Sequence, residues 1–206
     1  MKWLFCFIII RMKYFIGGIN GSGKSNFITN LKDVRPNYET VDGSKDFMKW
    51  LGFDGDYDRL RKLMPEIRDS KLAEFISQTL NKSEAETLVY VGHYIVLVKG
   101  EIINVTRDWL ARFDGIVLIT ARPEVILKRI NDDAHDRDRA LFKEGTTDQE
   151  AMKILKDYQL KEHVAFLDLA DRYGIPGLVM DNSESVVANV VFKFLEFDAK
   201  IRRSYL

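Results

Sequence analysis

Short apolar runs alternate with longer segments of mixed polarity along most of the chain. Apolar runs bounded by turn residues predict strands, here at about 13–17, 38–42, 87–92, 115–120 and 178–181. The intervening segments predict one helix that begins near residue 24 and five more over about 44–51, 58–80, 123–131, 147–172 and 184–197. Strands separated by helices form parallel sheets with right-handed crossovers. The pattern therefore predicts an α/β fold of three layers, with a five-stranded parallel sheet and helices on both faces.

Three local signals add detail to this pattern. Thr147 and Glu150 form a Thr-x-x-Glu capping box, which marks the start of a helix. The dipeptide Lys99-Gly100 interrupts an apolar stretch and favours a hairpin. One long helix over 58–80 is predicted because apolar residues recur at helical spacing, namely Leu60, Leu63, Met64, Ile67, Leu72, Phe75, Ile76 and Leu80.

The first eleven residues form an apolar N-terminal extension. The run at 3–10 is far shorter than the ~18 residues that a membrane helix needs. A signal peptide is disfavoured because no small-residue cleavage site follows. Two interpretations stay open: an extra apolar strand or helical turn, and an upstream extension before a start at Met12. We favour the second, which leaves a single domain over 12–206.

Composition and charge restrict the class of protein further. The chain has 206 residues, 46% of them hydrophobic and 30% charged, as expected of a globular domain. Lys plus Arg and Asp plus Glu are both 31, which argues against a nucleic-acid partner held by bulk charge. The one cysteine, Cys6, excludes an internal disulfide and a multi-cysteine zinc site. We expect a cytoplasmic protein that has no membrane association.

Residues 18–25, Gly-Ile-Asn-Gly-Ser-Gly-Lys-Ser, match G-x-x-x-x-G-K-[ST] and are called the P-loop below. They lie between a predicted strand and a predicted helix, where glycines allow consecutive N–H groups to face phosphate oxygens. Lys24 would reach the β- and γ-phosphates, and the Ser25 hydroxyl would bind Mg²⁺. The motif predicts a P-loop NTPase fold and a site for ATP with Mg²⁺. The residues expected to bind the nucleotide are Gly18, Asn20, Gly21, Ser22, Gly23, Lys24, Ser25 and Asn26.

A densely charged stretch follows the fourth predicted strand and its helix. Mixed charge of this kind is typical of a solvated loop. The alternative is a lid over about 131–147, because arginines that close over a transferred phosphoryl group stabilise its charge. In that interpretation Arg129, Arg137 and Arg139 are catalytic.

Basic residues also begin the long predicted helix. Arg59 and Lys62 share one helix face, and Arg61 lies on another. They form either a solvated face or a site that captures an acceptor phosphate, for which a guanidinium suits bidentate contact.

The order and spacing of these segments resemble archaeal-type adenylate kinases over about residues 12–196. The matching segments besides the P-loop are 41–44, 58–65, 91–93, 99–100, 123–133 and 157–159. The resemblance implies a nucleoside monophosphate as acceptor, bound by a helical region over about 43–85. It assigns the acceptor site to Ser44, Arg61 and His93, although His93 is equally open to a structural role. The family is often oligomeric, which leaves a homo-oligomer open.

Several positions depart from that family. Its P-loop often lacks the lysine that stands here at position 24, and His135 replaces a lid arginine. Its acid at the end of the third strand, which orders a magnesium-bound water, is Val91 in this chain. Asp42, at the end of the second strand, is our candidate to replace that acid at the metal. It can equally bind an acceptor hydroxyl or cap the next helix.

These observations favour ATP- and Mg²⁺-dependent phosphoryl transfer to a nucleoside monophosphate. The alternative acceptors are a nucleoside or another small hydroxyl metabolite. A nucleotide-binding module without catalysis also stays open, because the acid at the third strand is missing. A regulatory GTPase is disfavoured, since the nearest guanine-type string, at 81–84, ends in Glu84 where an aspartate is required.

Overall fold

The structure is a computed structural model that describes residues 10–53, 55–105, 108–133, 141–184 and 187–205, with the backbone alone at 57, 61 and 187. The strands are β1 (Met12–Gly17), β2 (Glu39–Asp42), β3 (Thr87–Val91), β4 (Ile95–Val98), β5 (Glu101–Asn104), β6 (Gly115–Thr120) and β7 (Gly177–Asp181). The helices are α1 (Lys24–Val34), α2 (Gly43–Trp50), α3 (Tyr57–Lys62), α4 (Pro65–Lys82), α5 (Pro123–Asp132), α6 (Asp148–Tyr173) and α7 (Val187–Arg203). A short 3₁₀ helix spans Asp108–Arg112.

Five strands form one parallel sheet in the order β2-β3-β1-β6-β7. In the register of the sheet, Asp42 of β2 lies opposite Val91 of β3, and Val91 lies opposite Ile16 of β1. The carboxyl ends of all five strands therefore meet at one edge, which is where open α/β sheets bind ligands. The predicted five-stranded parallel sheet is confirmed, and β4 and β5 form the predicted hairpin around Lys99-Gly100.

Side chains of β1 alternate between two cores, as the period of a strand requires. Phe15 packs in a cluster with Phe47 of α2, and the same cluster includes residues of α4 and α6. Tyr14 packs on the opposite face, in a cluster with Phe27 of α1 and Phe194 of α7. Helices thus cover both faces of the sheet, and the predicted three-layer architecture is confirmed.

A third cluster lies at the carboxyl edge of the sheet. Ile19 of the P-loop packs there with Ile95 of β4, Leu127 of α5 and Leu155 of α6. An apolar side chain thus anchors the P-loop to three different elements, so its backbone is held from outside the motif itself.

The single long helix predicted over 58–80 is wrong. The chain forms α3 and α4, which are separated by extended backbone at Leu63 and Met64. Pro65 is the first residue of α4, and proline disfavours helical backbone at the residue that precedes it. Met64 and Ile67 are 60% and 42% exposed, so these two apolar residues lie outside the core.

The last helix extends to Arg203, beyond the predicted end at 197. Asp198 is buried and accepts hydrogen bonds from the hydroxyls of Tyr14 at 2.6 Å and Tyr38 at 2.7 Å, and from Arg202 Nε at 3.0 Å. These contacts tie α7 to the sheet and stabilise its last turns. Within the described ranges, no helix is long and apolar enough to cross a membrane. Residues 1–9 of the predicted extension lie outside those ranges.

Candidate active site

The P-loop curls between the end of β1 and the start of α1. Gly21 and Gly23 have φ of 81° and 97°, a backbone conformation that side chains with a Cβ rarely adopt. A Cβ on Gly23 would also lie 2.0 Å from Nδ2 of Asn182. The loop is closed by the N–H of Ser22, which donates to the carbonyl of Ile19 at 3.2 Å. Glycine at position 23 is therefore required both by the turn and by the close approach of a neighbouring loop.

The first turn of α1 is suited to an anion. No described side chain caps this helix, and its first turn holds no acidic residue. By contrast, α2 is capped by Asp42, and α6 has both hydrogen bonds of the predicted capping box at Thr147. Free N–H groups and the positive end of the helix dipole attract phosphate. The P-loop residues therefore fit the phosphates of a nucleotide.

Lys24 lies across the curled loop. Its ammonium donates to the carbonyls of Gly18 and Ile19, the latter at 3.0 Å. Ser25 and Asn26 follow it on the exposed side of the first helical turn, and Asn20 is half-buried on the loop. The Ser25 hydroxyl fits a magnesium ion because Mg²⁺ commonly takes one or two protein oxygens, with phosphate and water as its other ligands. Within the described ranges, no group of three or more His, Cys, Asp or Glu side chains is arranged to hold a metal.

A buried carboxylate that the sequence analysis missed lies against this loop. Glu162 of α6 is 2% exposed, and it accepts a hydrogen bond from the main-chain N–H of Ile19. Burial raises the pKa of Glu162 to about 8, although the Lys24 ammonium and the Ile19 N–H oppose the shift. Its Oε1 atom has no hydrogen-bond partner among the described residues. The P-loop therefore packs against a buried carboxylate whose raised pKa and unpartnered Oε1 are not compensated by the described residues.

Arg129 braces the loop from the side of α5. Its Nη1 donates to the carbonyls of Gly21 at 3.2 Å and Ser22 at 3.3 Å, and its Nη2 donates to the carbonyl of Asn182 at 2.9 Å. The side-chain amide of Asn182 donates to the same Ser22 carbonyl at 2.9 Å. Arg129, predicted to stabilise the transferred group, thus holds the backbone of the P-loop in this structure. Asn182, which the sequence analysis did not single out, completes the brace.

The loops that follow β6 and β7 are joined beside the P-loop. The N–H of Asn182 donates to the Thr120 carbonyl at 2.7 Å, and the N–H of Arg122 donates to Ser183 Oγ at 2.7 Å. Gln159 of α6 donates from Nε2 to Thr120 Oγ1 at 3.2 Å. The position of Arg129 and Asn182 on the P-loop is therefore supported by a second layer of hydrogen bonds.

Asp42 lies two strands away from the P-loop at the same edge of the sheet. Its Oδ1 accepts a hydrogen bond from the N–H of Lys45 at 3.1 Å, so it caps α2, one of the roles left open for it. The Oδ2 atom accepts no hydrogen bond from a described residue, and the side chain is exposed. Val91, on the strand between Asp42 and the P-loop, is buried. Asp42 thus offers an exposed carboxylate at this edge, with one oxygen that no described residue engages.

The remaining acceptor candidates with described side chains lie at the same edge of the sheet as Asp42. Gly92 follows β3 and donates its N–H to the Ile16 carbonyl at 2.9 Å. The first residue after β3, next to the strand that leads into the P-loop, therefore has no side chain. His93, between β3 and β4, and Ser44, in the first turn of α2, are both half-buried. The structure therefore brings Asp42, Ser44 and His93 to the edge of the sheet that holds Lys24.

Three predicted site residues cannot be placed with these. The side chain of Arg61 lies outside what the structure describes, although its backbone is in α3. Arg137 and Arg139 lie outside the described residues, as do His135 and the rest of segment 134–140 of the predicted lid.

Comparison with known proteins identifies the fold. No protein-family model and no curated protein matches the sequence. A shikimate kinase from Acinetobacter baumannii, solved in complex with shikimate, superposes with a TM-score of 0.64 at 11% identity, over 92% of this chain and 94% of that one. A shikimate kinase from Bacteroides thetaiotaomicron gives a TM-score of 0.61 at 14% identity, over 90% and 97%. The predicted P-loop NTPase fold is confirmed, whereas these neighbours lend no support to an archaeal adenylate kinase in particular.

Proposed function

We propose that this protein is a kinase that transfers the γ-phosphoryl group of ATP to a hydroxyl group of a small metabolite. The observation that carries the proposal is the P-loop itself. It curls through two left-handed glycines into a helix that begins without a side-chain cap, with the Lys24 ammonium lying across the turn. This arrangement fits the donor triphosphate.

On the donor side, the residues act by position and charge. Lys24 exchanges the carbonyls of Gly18 and Ile19 for oxygens of the β- and γ-phosphates, and the N–H groups at the start of α1 bind the β-phosphate. The Ser25 hydroxyl would hold Mg²⁺, which when bound with ATP would neutralise part of the charge on the β- and γ-phosphates. Arg129 and Asn182 keep the loop carbonyls turned away from the phosphates, because both bind the carbonyl of Ser22.

On the acceptor side, Asp42 favours a hydroxyl over a phosphate. Its side chain is exposed at the edge of the sheet, two strands from the strand that leads into the P-loop. A carboxylate there repels the dianion of a nucleoside monophosphate, whereas it accepts a hydrogen bond from a hydroxyl. The fold neighbours agree, since both are shikimate kinases and one was solved in complex with shikimate.

The phosphoryl group passes directly from ATP to the acceptor, without a covalent intermediate on the protein. The acceptor oxygen forms a bond to the γ-phosphorus, the bond from that phosphorus to the β-phosphate oxygen breaks, and ADP leaves. Asp42 accepts the hydroxyl proton as the new bond forms. Since positioning supplies most of the rate in this chemistry, the bracing of the P-loop is part of the machinery.

A monophosphate acceptor was the first choice from sequence, and the fold neighbours favour the alternative. That choice depended on Arg61 as a phosphate ligand, by resemblance to adenylate kinases. The two acceptor classes are separated directly by experiment.

The test measures ADP formation from Mg-ATP with two panels of acceptors. One panel contains hydroxyl compounds without phosphate, namely shikimate, simple sugars and nucleosides, and the other contains nucleoside monophosphates. We expect ADP to form with a member of the first panel. We also expect the rate to fall by about 100-fold or more in Lys24→Ala, since removing one positioned donor of this kind costs about 10²–10³.

Lys32→Ala is the matched control, because it removes the same side chain from an exposed position of the same helix. Turnover with monophosphates alone would contradict the hydroxyl acceptor. ADP formation that needs no acceptor would indicate a switch ATPase, and ATP binding without any turnover would indicate a module that has lost catalysis.

A further inference from the structure

The buried row of α6 contains one charged residue. Its other members are apolar or aromatic, and the complete row is Ala151, Leu155, Tyr158, Glu162, Phe166 and Leu169. A helix places residues at this spacing along one face, here the face that covers the sheet. Burying a carboxylate costs free energy unless it is paired and hydrogen-bonded, so Glu162 requires a physical explanation.

The surroundings of Glu162 lead to the P-loop. The N–H of Ile19 donates to its carboxylate, and the nearby charge of Lys24 favours the ionised form. Two further described groups sense its charge, namely Tyr94, just before β4, and Tyr158, one turn earlier on α6. Burial and the Glu162 charge raise the pKa of both tyrosines, which therefore stay neutral. Among the described residues, the Lys24 ammonium is a cation whose positive charge lowers the pKa of this carboxylate.

The same lysine has a second task in the proposed reaction. When a triphosphate enters the P-loop, the Lys24 ammonium is shared with phosphate oxygens, and several negative charges arrive near a buried carboxylate. Both changes disfavour an ionised Glu162. Protonation relieves the repulsion, because the neutral acid keeps an oxygen that accepts from the Ile19 N–H.

We propose that Glu162 is a positioning residue that holds the Ile19 N–H in the nucleotide-free protein, within reach of the Lys24 charge, and takes up a proton when a nucleoside triphosphate binds. This inference rests on the proposed function only for the identity of the ligand. It assigns to Glu162 no contact with the substrate, since the residue acts through Lys24 and through the backbone of the P-loop.

Calorimetry of Mg-ATP binding at pH 8, in Tris and in HEPES, measures the proton uptake directly. The two buffers differ in ionisation enthalpy, so the apparent binding enthalpy differs between them in proportion to the protons exchanged. Because burial raises the pKa of Glu162 to about 8, part of the nucleotide-free protein carries the ionised form at pH 8, and we expect net uptake of less than one proton by the wild-type protein. In Glu162→Gln, which keeps the size and the hydrogen-bond acceptor, we expect none. The wild-type affinity should weaken above pH 8, and the variant affinity should not.

Asp168→Asn is the control, because it removes an acid from an exposed position of the same helix and should leave the uptake unchanged. Wild-type binding without proton uptake would overturn the inference, and so would uptake that persists in Glu162→Gln. A second measurement needs no nucleotide. The amide proton shift of Ile19 should titrate near pH 8 in the wild-type protein and lose that titration in Glu162→Gln.

Failures of the two proposals are distinguishable. If neither protein binds ATP, the proposed function is wrong, and proton uptake on binding is wrong with it. The Ile19 titration then still decides whether Glu162 holds the loop, and an amide shift that is independent of pH in the wild-type protein would overturn that part.

Discussion

Arg129 donates from Nη2 to the main-chain carbonyl of Asn182 at 2.9 Å, and both residues also bind the carbonyl of Ser22. This relationship joins α5 and the loop after β7 across the P-loop. The phosphate-binding backbone is thus held from outside by Arg129 and Asn182, and from beneath by Glu162. The P-loop motif forms the turn, and residues distant in sequence hold its backbone in place.

Arg129→Ala should weaken binding of Mg-ATP. The substitution removes hydrogen bonds from a guanidinium to three carbonyls, and hydrogen bonds to charged groups contribute about 1.5–3 kcal/mol each to stability. We expect the Kd to rise by about 10- to 100-fold, measured by calorimetry. Arg129→Lys should restore little of the Mg-ATP affinity, because an ammonium cannot replace the several fixed N–H donors of a planar guanidinium.

Lys128→Ala removes an exposed cation from the neighbouring position of the same helix and serves as the control. An Arg129→Ala protein that binds Mg-ATP as tightly as the Lys128→Ala protein would show that the brace is unimportant.

Gly23→Ala should destabilise the protein more than Gly52→Ala. The new Cβ would lie 2.0 Å from Asn182 Nδ2, in addition to the strain of a φ of 97°. Gly52→Ala is the matched control, because Gly52 has a φ of 70° and no atom within 4 Å of the added Cβ. Overpacking costs about 1–3 kcal/mol, so we expect Gly23→Ala to lose that much more stability in urea denaturation. Equal losses in the two variants would refute the steric argument.

Asp198→Ala should destabilise the fold without acting at the site. The change leaves the hydroxyls of Tyr14 and Tyr38 without their acceptor, and it leaves Arg202 without its partner on the same helix. Removing one member of a buried charged pair costs about 3–5 kcal/mol. Denaturant unfolding measures the loss, with the exposed Glu196→Ala as control. A loss below about 1 kcal/mol would mean that this network contributes little.

The parts of the structure that contiguous sequence motifs encode were predictable from the sequence. The eight residues of the P-loop and the capping box at Thr147 are contiguous patterns, and both form as predicted. The long helix over 58–80 failed because apolar spacing was given more weight than Pro65, which stops helical backbone at Met64. Spacing alone does not show whether an apolar residue is buried, as the exposed Ile67 illustrates.

Residues brought together by tertiary structure were missed for a different reason. Asn182 follows the last strand and has no motif of its own, so its contact with Ser22 arises only from sheet order. Glu162 does have a signal, because it stands at a core position of the α6 row. That signal was hidden by exposed apolar neighbours on the same helix, Leu160 and Val164.

The stability of the protein should depend on pH through Glu162. Its pKa rises from an ordinary value of 4.5 to about 8 on folding, so the folded state binds this proton more tightly than the unfolded state. The resulting stabilisation is present below pH 4.5 and is lost as the pH rises through 8. The stability of the wild-type protein relative to Glu162→Gln should therefore fall between pH 4.5 and 8. Denaturant unfolding of both proteins across this range measures the difference, and parallel curves would contradict the assignment.

Phosphorus NMR of a reaction with Mg-ATP and the best acceptor of the hydroxyl panel shows directly whether the phosphoryl group reaches a hydroxyl. We expect a new phosphomonoester signal that grows in step with ADP, is absent without the acceptor, and is lost in Lys24→Ala but kept in Lys32→Ala. Formation of ADP with inorganic phosphate alone, or transfer to nucleoside monophosphates alone, would contradict phosphoryl transfer to a hydroxyl metabolite.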